Sequence, residues 1–241
     1  MFDTALAEFG TFDLVCPGAG VYEPLWSNFW HPPGQSPASR DHPVGGRYAL
    51  LDINVSHPIR ATQIALSHWL HPRTPAALRV STQNPKRVVH ISSVAGQVGV
   101  FRAPLYGASK FAITGFVRCL APLEAETGIK VNAVAPGIVK TPIWTENPEK
   151  LANVVPARDG WVTPREVAEA MLRCAEEDSF KAGSVWEVGA GHVREVGVFH
   201  DPGPDSAPGR GMLASNSSVG DEQVKGWLKD EWIWGKGASR L

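Results

Sequence analysis

The stretch ISSVAGQVGVFRAPLYGASKF, residues 91–111, decides how the rest of the sequence is interpreted. The apolar run Arg87 to Ile91 has the character of a buried strand and ends in two serines, after which a Gly-containing loop follows. Beyond that loop, Tyr106 and Lys110 lie four residues apart. In a helix, this spacing places both side chains on one face.

A phenol beside an ammonium can donate and accept a proton near neutral pH. Free tyrosine has a pKa of about 10, and an ammonium roughly 4 Å away favours the phenolate by about 4 kcal/mol before desolvation is counted. We therefore expect Lys110 to lower the pKa of Tyr106. Ser93, at the end of the preceding strand, offers a hydroxyl that can hold a substrate oxygen against the phenol. The stretch predicts a site that moves a proton onto or off an oxygen atom.

Composition limits the classes of protein to consider. The chain has 241 residues, of which 43% are apolar and 20% charged, and these values are typical of one soluble globular unit. The net charge of −1 provides no general field for nucleic acid or an anionic membrane. No run approaches the roughly 18 apolar residues needed to span a bilayer. We therefore predict neither a nucleic-acid partner nor a membrane partner.

The cysteines and histidines do not form recognisable metal or disulfide patterns. Cys16, Cys119 and Cys174 are dispersed and odd in number, which favours a reducing, cytoplasmic location. His68 and His71 lie three residues apart but have no third ligand nearby in the sequence. We predict that the protein binds no metal.

Helical patterns alternate with short apolar runs along the chain. Such alternation predicts parallel βαβ units, with ligands at the carboxyl ends of the strands. Residues 26–46 and 143–161 are rich in loop-forming residues and predict irregular segments. The expected helices are Phe2 to Phe9, Tyr48 to Leu70, Leu105 to Glu126 and Thr163 to Glu177, and the expected strands are Phe12 to Cys16, Arg87 to Ile91, Ile129 to Val134 and, at the sheet edge, Gly183 to Val188.

Four residues in a fixed order carry a family resemblance: Asn54, Ser93, Tyr106 and Lys110. From about residue 2 to residue 196, the chain resembles the short-chain dehydrogenase/reductase family, and within it the branch around 15-hydroxyprostaglandin dehydrogenase. The resemblance implies an α/β, Rossmann-like, doubly wound parallel sheet with helices on both faces. It also implies an oxidoreductase that transfers a hydride between NAD or NADP and a secondary alcohol or ketone, and that forms a homodimer or homotetramer.

The resemblance also implies a role for each matching residue. Tyr106 is the general acid/base, Ser93 holds the substrate oxygen, Lys110 lowers the pKa of Tyr106 and holds the nicotinamide ribose, and Asn54 anchors a water. The branch resembled favours NAD slightly over NADP. The positions implied in cofactor binding are Gly18, Ala19, Gly20, Asn54, Tyr106, Lys110, Pro136, Gly137, Val139 and Thr141.

The sequence departs from the family pattern towards its beginning. Pro17 and Gly18 stand where the family has two asparagines, although Ala19 and Gly20 match. The family's first strand, Gly-rich turn and first helix would precede Phe2, and the glycines of the loop at 34–46 do not follow a strand as that turn requires. We therefore expect the sheet to lack its first strands. We expect an incomplete dehydrogenase/reductase domain at residues 1–199 and a loose tail with a short amphipathic aromatic segment at 200–241.

Two functional hypotheses remain open from the sequence. The chain is either an active dehydrogenase/reductase or a catalytically impaired relative that acts as a binding or dimer-regulating subunit. A serine hydrolase is rejected because neither Ser93 nor Ser109 lies in a Gly-x-Ser-x-Gly turn. Phe101, Trp144 and Trp161 suggest an apolar substrate pocket.

Overall fold

Parallel strands form the centre of the fold in the computed structural model, which describes residues 1–72, 78–145, 151, 154–155, 159–198 and 218–230. The described strands form one sheet in the order β1-β2-β3-β4-β5. Neighbours from β1 to β4 run parallel, and β5 pairs antiparallel with β4. The strands are β1 Leu14–Val15, β2 Lys86–Ile91, β3 Ile129–Pro136, β4 Val185–Gly189 and β5 His192–Glu195.

Helices connect the strands and cover both faces of the sheet, which confirms the expected Rossmann-like class. A π-helical turn, Asp52–Ser56, joins α2 to α3, and a 3-10 turn, Val94–Gly96, follows β2. The described α-helices are α1 Phe2–Phe9, α2 Ala49–Leu51, α3 His57–Leu70, α4 Pro104–Cys119, α5 Leu123–Thr127, α6 Pro142–Thr145, α7 Pro164–Glu176 and α8 Ser218–Lys229.

Alternate residues of the central strands supply two separate apolar cores. Val88 packs with residues of α3 and α4 on one face, whereas its neighbour Val89 packs with residues of α7 on the other. Val131 and Val134 of β3 divide between the cores in the same way. This follows from strand geometry, in which successive side chains point to opposite faces.

The capping signals in the sequence set the start of α7. The Thr163 hydroxyl accepts the Glu166 N–H at 3.2 Å, and the Glu166 carboxylate accepts the Thr163 N–H at 2.7 Å, as the expected capping box requires. The second oxygen of Glu166 accepts the N–H of Gly191 at 2.7 Å. Glu166 therefore also ties α7 to the turn between β4 and β5.

Several boundaries differ from those expected. β1 spans two residues because the Phe12 ring packs into the core and its carbonyl accepts the Trp69 indole N–H at 2.7 Å. The helix expected over 105–126 is two helices, since the chain turns through Leu120 to Pro122, and proline lacks a helical N–H. β4 is not the edge strand, because Gly191 adopts a positive φ of 67° and turns the chain back into β5.

The C-terminal region is described in part. The short amphipathic aromatic segment expected in the tail, which runs from Gln223 to Trp234 in the sequence, begins within α8. Leu228 of α8 is buried in the core that contains α3 and α4. Lys225 of the same helix pairs with Glu126 at 3.2 Å. Of the tail expected at 200–241, residues 200–217 and 231–241 lie outside the described residues. The proposed division at residue 199 stays a prediction.

Two glycines make a matched stability test. Gly128 adopts a φ of +84°, and an added Cβ would lie 2.4 Å from the Ser81 carbonyl oxygen, whereas Gly115 in α4 has open space around it. We expect Gly128→Ala to lower the free energy of unfolding by more than about 2 kcal/mol, through strain and steric overlap. Gly115→Ala should raise it by about 0.5–1 kcal/mol. Urea unfolding measures both; equal effects would contradict the backbone assignment.

Candidate active site

A cleft of about 500 Å³ opens at the carboxyl ends of β2 and β3. The two strands are parallel and in register from Lys86↔Ile129 to Ile91↔Val134, so the segments that follow them emerge side by side. Ser93 follows β2 and Gly137 follows β3, and both line the cleft. This is the edge of a parallel sheet at which ligands ordinarily bind.

The two serines after β2 have different tasks. Ser92 is buried, and its hydroxyl bonds to the Thr114 hydroxyl at 2.9 Å and to the Lys110 carbonyl at 3.2 Å, which joins the strand end to α4. The Ser93 hydroxyl accepts the Ala95 N–H at 3.2 Å and makes a long contact of 3.5 Å with the Pro136 carbonyl. Ser93 therefore has a fixed side chain at the cleft wall.

Tyr106 is held at the third residue of α4. Its backbone N–H donates to the Glu23 carboxylate at 2.8 Å, a favourable position for a negative charge at a helix N-terminus. Glu23 is buried, and its backbone adopts a positive φ of 34°, which residues other than glycine rarely adopt. The Tyr22 ring packs edge-on against the Tyr106 ring, with 4.6 Å between centroids. The loop before the cleft thus positions the phenol from two directions.

Lys110 lies one turn further along the same face of α4. Its side chain is 6% exposed, and its Nζ donates to the Ile91 carbonyl at 3.0 Å. The same Nζ lies 5.5 Å from the centroid of the Tyr106 ring. The i,i+4 spacing therefore brings the two side chains together, as expected.

The pKa directions differ from the expectation. Burial raises the pKa of Tyr106 above its usual value, and the nearby Tyr22 adds to the rise, while hydrogen bonding with the Ser93 side chain opposes it. Burial also lowers the pKa of Lys110 to about 8. The predicted lowering of the Tyr106 pKa by Lys110 is therefore wrong for this structure, because desolvation of the phenolate outweighs the opposing hydrogen bond with Ser93.

Asn54 fixes the loop that forms the opposite wall. Its side-chain oxygen accepts the Val21 N–H at 2.9 Å, and its amide donates to the Val21 carbonyl at 2.9 Å and to Ser109 at 3.2 Å. A Cβ on Gly20 would lie 3.5 Å from the Asn54 oxygen and 3.9 Å from Lys110 Nζ. The side chain of Asn54 thus supports the glycine wall and does not reach into the cleft.

Most of the residues predicted to contact a cofactor line this cleft. Gly18, Gly20, Tyr106, Lys110, Pro136, Gly137, Val139 and Thr141 lie on its surface, whereas Ala19 and Asn54 do not. The Lys110 ammonium and the glycine backbones are the groups best suited to contact the hydroxyls and ring of a nucleotide.

Sequence reasoning missed other parts of the cleft. Tyr22, Arg102 and the first turns of α7 line it, although no motif distinguishes them. Gly96, behind the cleft, was also missed: an added Cβ would lie 2.8 Å from the Lys110 carbonyl, so the 3-10 turn packs closely on α4.

The three aromatic residues predicted to form the substrate pocket differ in position. Phe101 does not line the cleft, because its side chain is 86% exposed and packs on Trp30. Trp144 does line it, and Trp161 packs against Trp144.

Residues 1–152 match the family model described as short chain dehydrogenase. This chain belongs to the short-chain dehydrogenase family. The match covers the Ser93, Tyr106 and Lys110 constellation and the strands that present it. The membership of the short-chain dehydrogenase/reductase family that the sequence predicted is thereby confirmed.

Relatives within the family carry dehydrogenase names. The chain is 31% identical to an L-fucose dehydrogenase of Bos taurus over 74% of this chain, and spans 61% of that relative's length. It is 29% identical to a cis-4-hydroxycyclohexanecarboxylate dehydrogenase of Sinomonas cyclohexanicum, over 80% of this chain and 70% of the relative. A solved 4-hydroxyisoleucine dehydrogenase complexed with NADH matches with a TM-score of 0.58 and 18% identity, over 78% of this chain and 71% of the other. This last similarity shows the fold.

Metal-binding groups and membrane-spanning helices are not found among the described residues. Within them, no group of three or more histidine, cysteine or acidic side chains is placed to hold a metal ion. None of the described helices combines the length and apolar character needed to cross a membrane. Cys16, Cys119 and Cys174 are free thiols.

The buried ammonium of Lys110 should lower stability in a pH-dependent way. Its folded pKa of about 8 lies below the unfolded value of 10.5, so the destabilisation is complete below pH 8 and is lost as the pH rises towards 10.5. We expect Lys110→Met to raise the free energy of unfolding at pH 7 by about 2 kcal/mol, after allowance for the unpaired Ile91 carbonyl. The gain should shrink by pH 10 in urea unfolding. Lys140 is exposed, so Lys140→Met is the control. A Lys110→Met protein that is less stable than wild type at pH 7 would contradict the destabilisation assigned to the buried ammonium.

Proposed function

We propose that the protein transfers a hydride between a nicotinamide dinucleotide and a secondary alcohol or ketone, with Tyr106 as the general acid/base. The observation that carries the proposal is the convergence of Ser93, Tyr106 and Lys110 on one cleft at the strand ends. Membership of the short-chain dehydrogenase family supports it. The finer resemblance to the 15-hydroxyprostaglandin dehydrogenase branch remains part of the proposal.

The residues of the cleft fit the nicotinamide-ribose half of such a cofactor. Gly20 leaves a space that a Cβ would fill, within 3.9 Å of Lys110 Nζ. Lys110 Nζ carries three donor hydrogens, and its bond to the Ile91 carbonyl leaves donors for ribose hydroxyls. Val139 and Thr141 form the rim beyond β3. The cofactor is NAD or NADP, with NAD slightly favoured by the branch resembled, and a structural relative is described in complex with NADH.

The bound cofactor would supply the hydride acceptor or donor. The chain's own residues handle the oxygen and its proton. During alcohol oxidation, the Tyr106 oxygen takes the hydroxyl proton as the C–H bond breaks and the C=O bond forms; during ketone reduction, the phenol returns it. Ser93 donates a hydrogen bond to the same substrate oxygen and stabilises developing negative charge. Since the Asn54 side chain is occupied by Val21 and Ser109, we assign the water-holding role to the Asn54 backbone.

The cleft and the thiols bear on the setting of the reaction. Val98, Val100 and Trp144 make much of the substrate side apolar, which suits an aliphatic or cyclic alcohol. Three free thiols suit a reducing compartment such as the cytoplasm. A homodimer or homotetramer belongs to the same proposal. The alternative function is that of a catalytically impaired relative that acts as a binding or dimer-regulating subunit.

Substituting Tyr106 tests the general acid/base. Tyr106→Phe should reduce turnover of cyclohexanol or cyclohexanone by at least about a hundredfold, since a positioned acid/base contributes 10²–10⁴-fold. NADH binding, followed by its fluorescence, should be retained. Tyr48→Phe, outside the cleft lining, is the matched control. Unchanged turnover in Tyr106→Phe would contradict the assignment. A folded wild-type chain that neither binds NADH nor turns over would favour the subunit.

The raised pKa of Tyr106 gives a direction to the pH profile. Because the phenol is protonated at neutral pH, the chain is ready to donate a proton to a ketone there. We expect kcat/KM for alcohol oxidation to rise from pH 7 to pH 10, and kcat/KM for ketone reduction to stay level until alkaline pH. Steady-state rates across this range measure both. An oxidation rate that is maximal at pH 7 would show that another group sets the protonation step.

A further inference from the structure

A second cation lies at the mouth of the cleft and has no part in the mechanism above. Among the described residues that line the cleft, the charged side chains are Arg102 and Lys110. Lys110 lies deep, against the Ile91 carbonyl, whereas Arg102 is exposed in the segment between the 3-10 turn and α4. The family pattern leaves Arg102 without a role.

Arg102 shares a neighbour with the reacting phenol. Its guanidinium carbon lies 5.5 Å from the centroid of the Tyr22 ring, and its side chain also hydrogen-bonds with Tyr22. The Tyr22 ring in turn contacts Tyr106, with 4.6 Å between centroids. Together these two distances limit the separation of the guanidinium carbon from the Tyr106 ring centroid to about 10 Å. A small molecule can span that distance.

The described lining provides no negative charge to compensate Arg102. The carboxylate of Glu23, next to Tyr22 in the chain, is buried and accepts the N–H groups of Phe29 at 3.1 Å and Tyr106 at 2.8 Å. Glu23 is also absent from the cleft surface. Beyond its hydrogen bond with Tyr22, the guanidinium has further N–H donors that can face a ligand, and its planar pair of donors matches a carboxylate. The single positive charge of Arg102 matches a ligand that carries one carboxylate.

We propose that the substrate is a hydroxy acid or oxo acid, whose carboxylate binds Arg102 while its carbinol or carbonyl oxygen binds Ser93 and Tyr106. The carbon skeleton between these groups would lie along Tyr22, against Val98, Val100 and Trp144. This substrate class rests on the proposed function. The names of the relatives do not decide it, because they include both neutral and carboxylate-bearing alcohols.

Binding of unreactive probes tests the carboxylate site without relying on turnover. Wild-type protein, titrated calorimetrically with NADH present and absent, should bind cyclohexanecarboxylate roughly ten- to a hundredfold more tightly than cyclohexanecarboxamide. Arg102→Gln should abolish that preference, and Arg102→Lys should keep part of it. Arg60→Gln, an exposed arginine on α3 outside the cleft, is the matched control. Arg102→Glu should disfavour the carboxylate further.

The outcomes separate the two proposals. Equal binding of the two probes by wild-type protein, no measurable binding of the carboxylate, or a preference that survives in Arg102→Gln would overturn the carboxylate site. Turnover of cyclohexanone at least as fast as that of 4-oxocyclohexanecarboxylate would leave the dehydrogenase function intact and remove only the substrate class. Arg102-dependent carboxylate binding without any turnover would support the site and count against the dehydrogenase function.

Discussion

The hydroxyl of Ser92 joins the end of β2 to the middle of α4, through the Thr114 hydroxyl and the Lys110 carbonyl. The 3-10 turn after Ser93 reinforces this contact, because Gly96 packs where any Cβ would overlap the helix backbone. Ser93 follows β2 and caps that turn, and Tyr106 and Lys110 come from α4. Their relative positions therefore depend on a junction formed by two small residues that have no chemical role themselves.

Burial gives the cleft its chemistry at the expense of stability. The Lys110 ammonium and the Tyr106 phenol are both withdrawn from water, and each pKa moves in the direction that favours the neutral form. A neutral phenol is a proton donor, and a partly dehydrated ammonium retains strong hydrogen bonds for a ligand. At neutral pH the cost in stability falls on the buried Lys110 ammonium, and a ligand that accepts its remaining hydrogen bonds offsets that cost, a relation often found in functional sites.

The sequence was most informative where chemistry and periodicity coincide. The Tyr106–Lys110 spacing and the apolar run ending at Ser93 were sufficient to predict the strand, the helix and their meeting point, and the capping box predicted the start of α7. The pKa direction of Tyr106 could not be predicted, because desolvation depends on Tyr22 and on a loop about eighty residues earlier in the chain. Arg102 and Gly96 were missed for a similar reason, since their importance comes from three-dimensional neighbours. β5 was missed because a single glycine turn creates it.

The antiparallel strand β5 has a consequence for how molecules of this protein meet one another. It is four residues long, largely exposed, and carries His192, Arg194 and Glu195, with Arg194 paired to Glu187 of β4. A short, charged border of this kind is a poor template for a strand from another molecule. On this side the described part of the sheet ends in a way that discourages edge-to-edge aggregation, although its interior strands carry the buried valines of both cores.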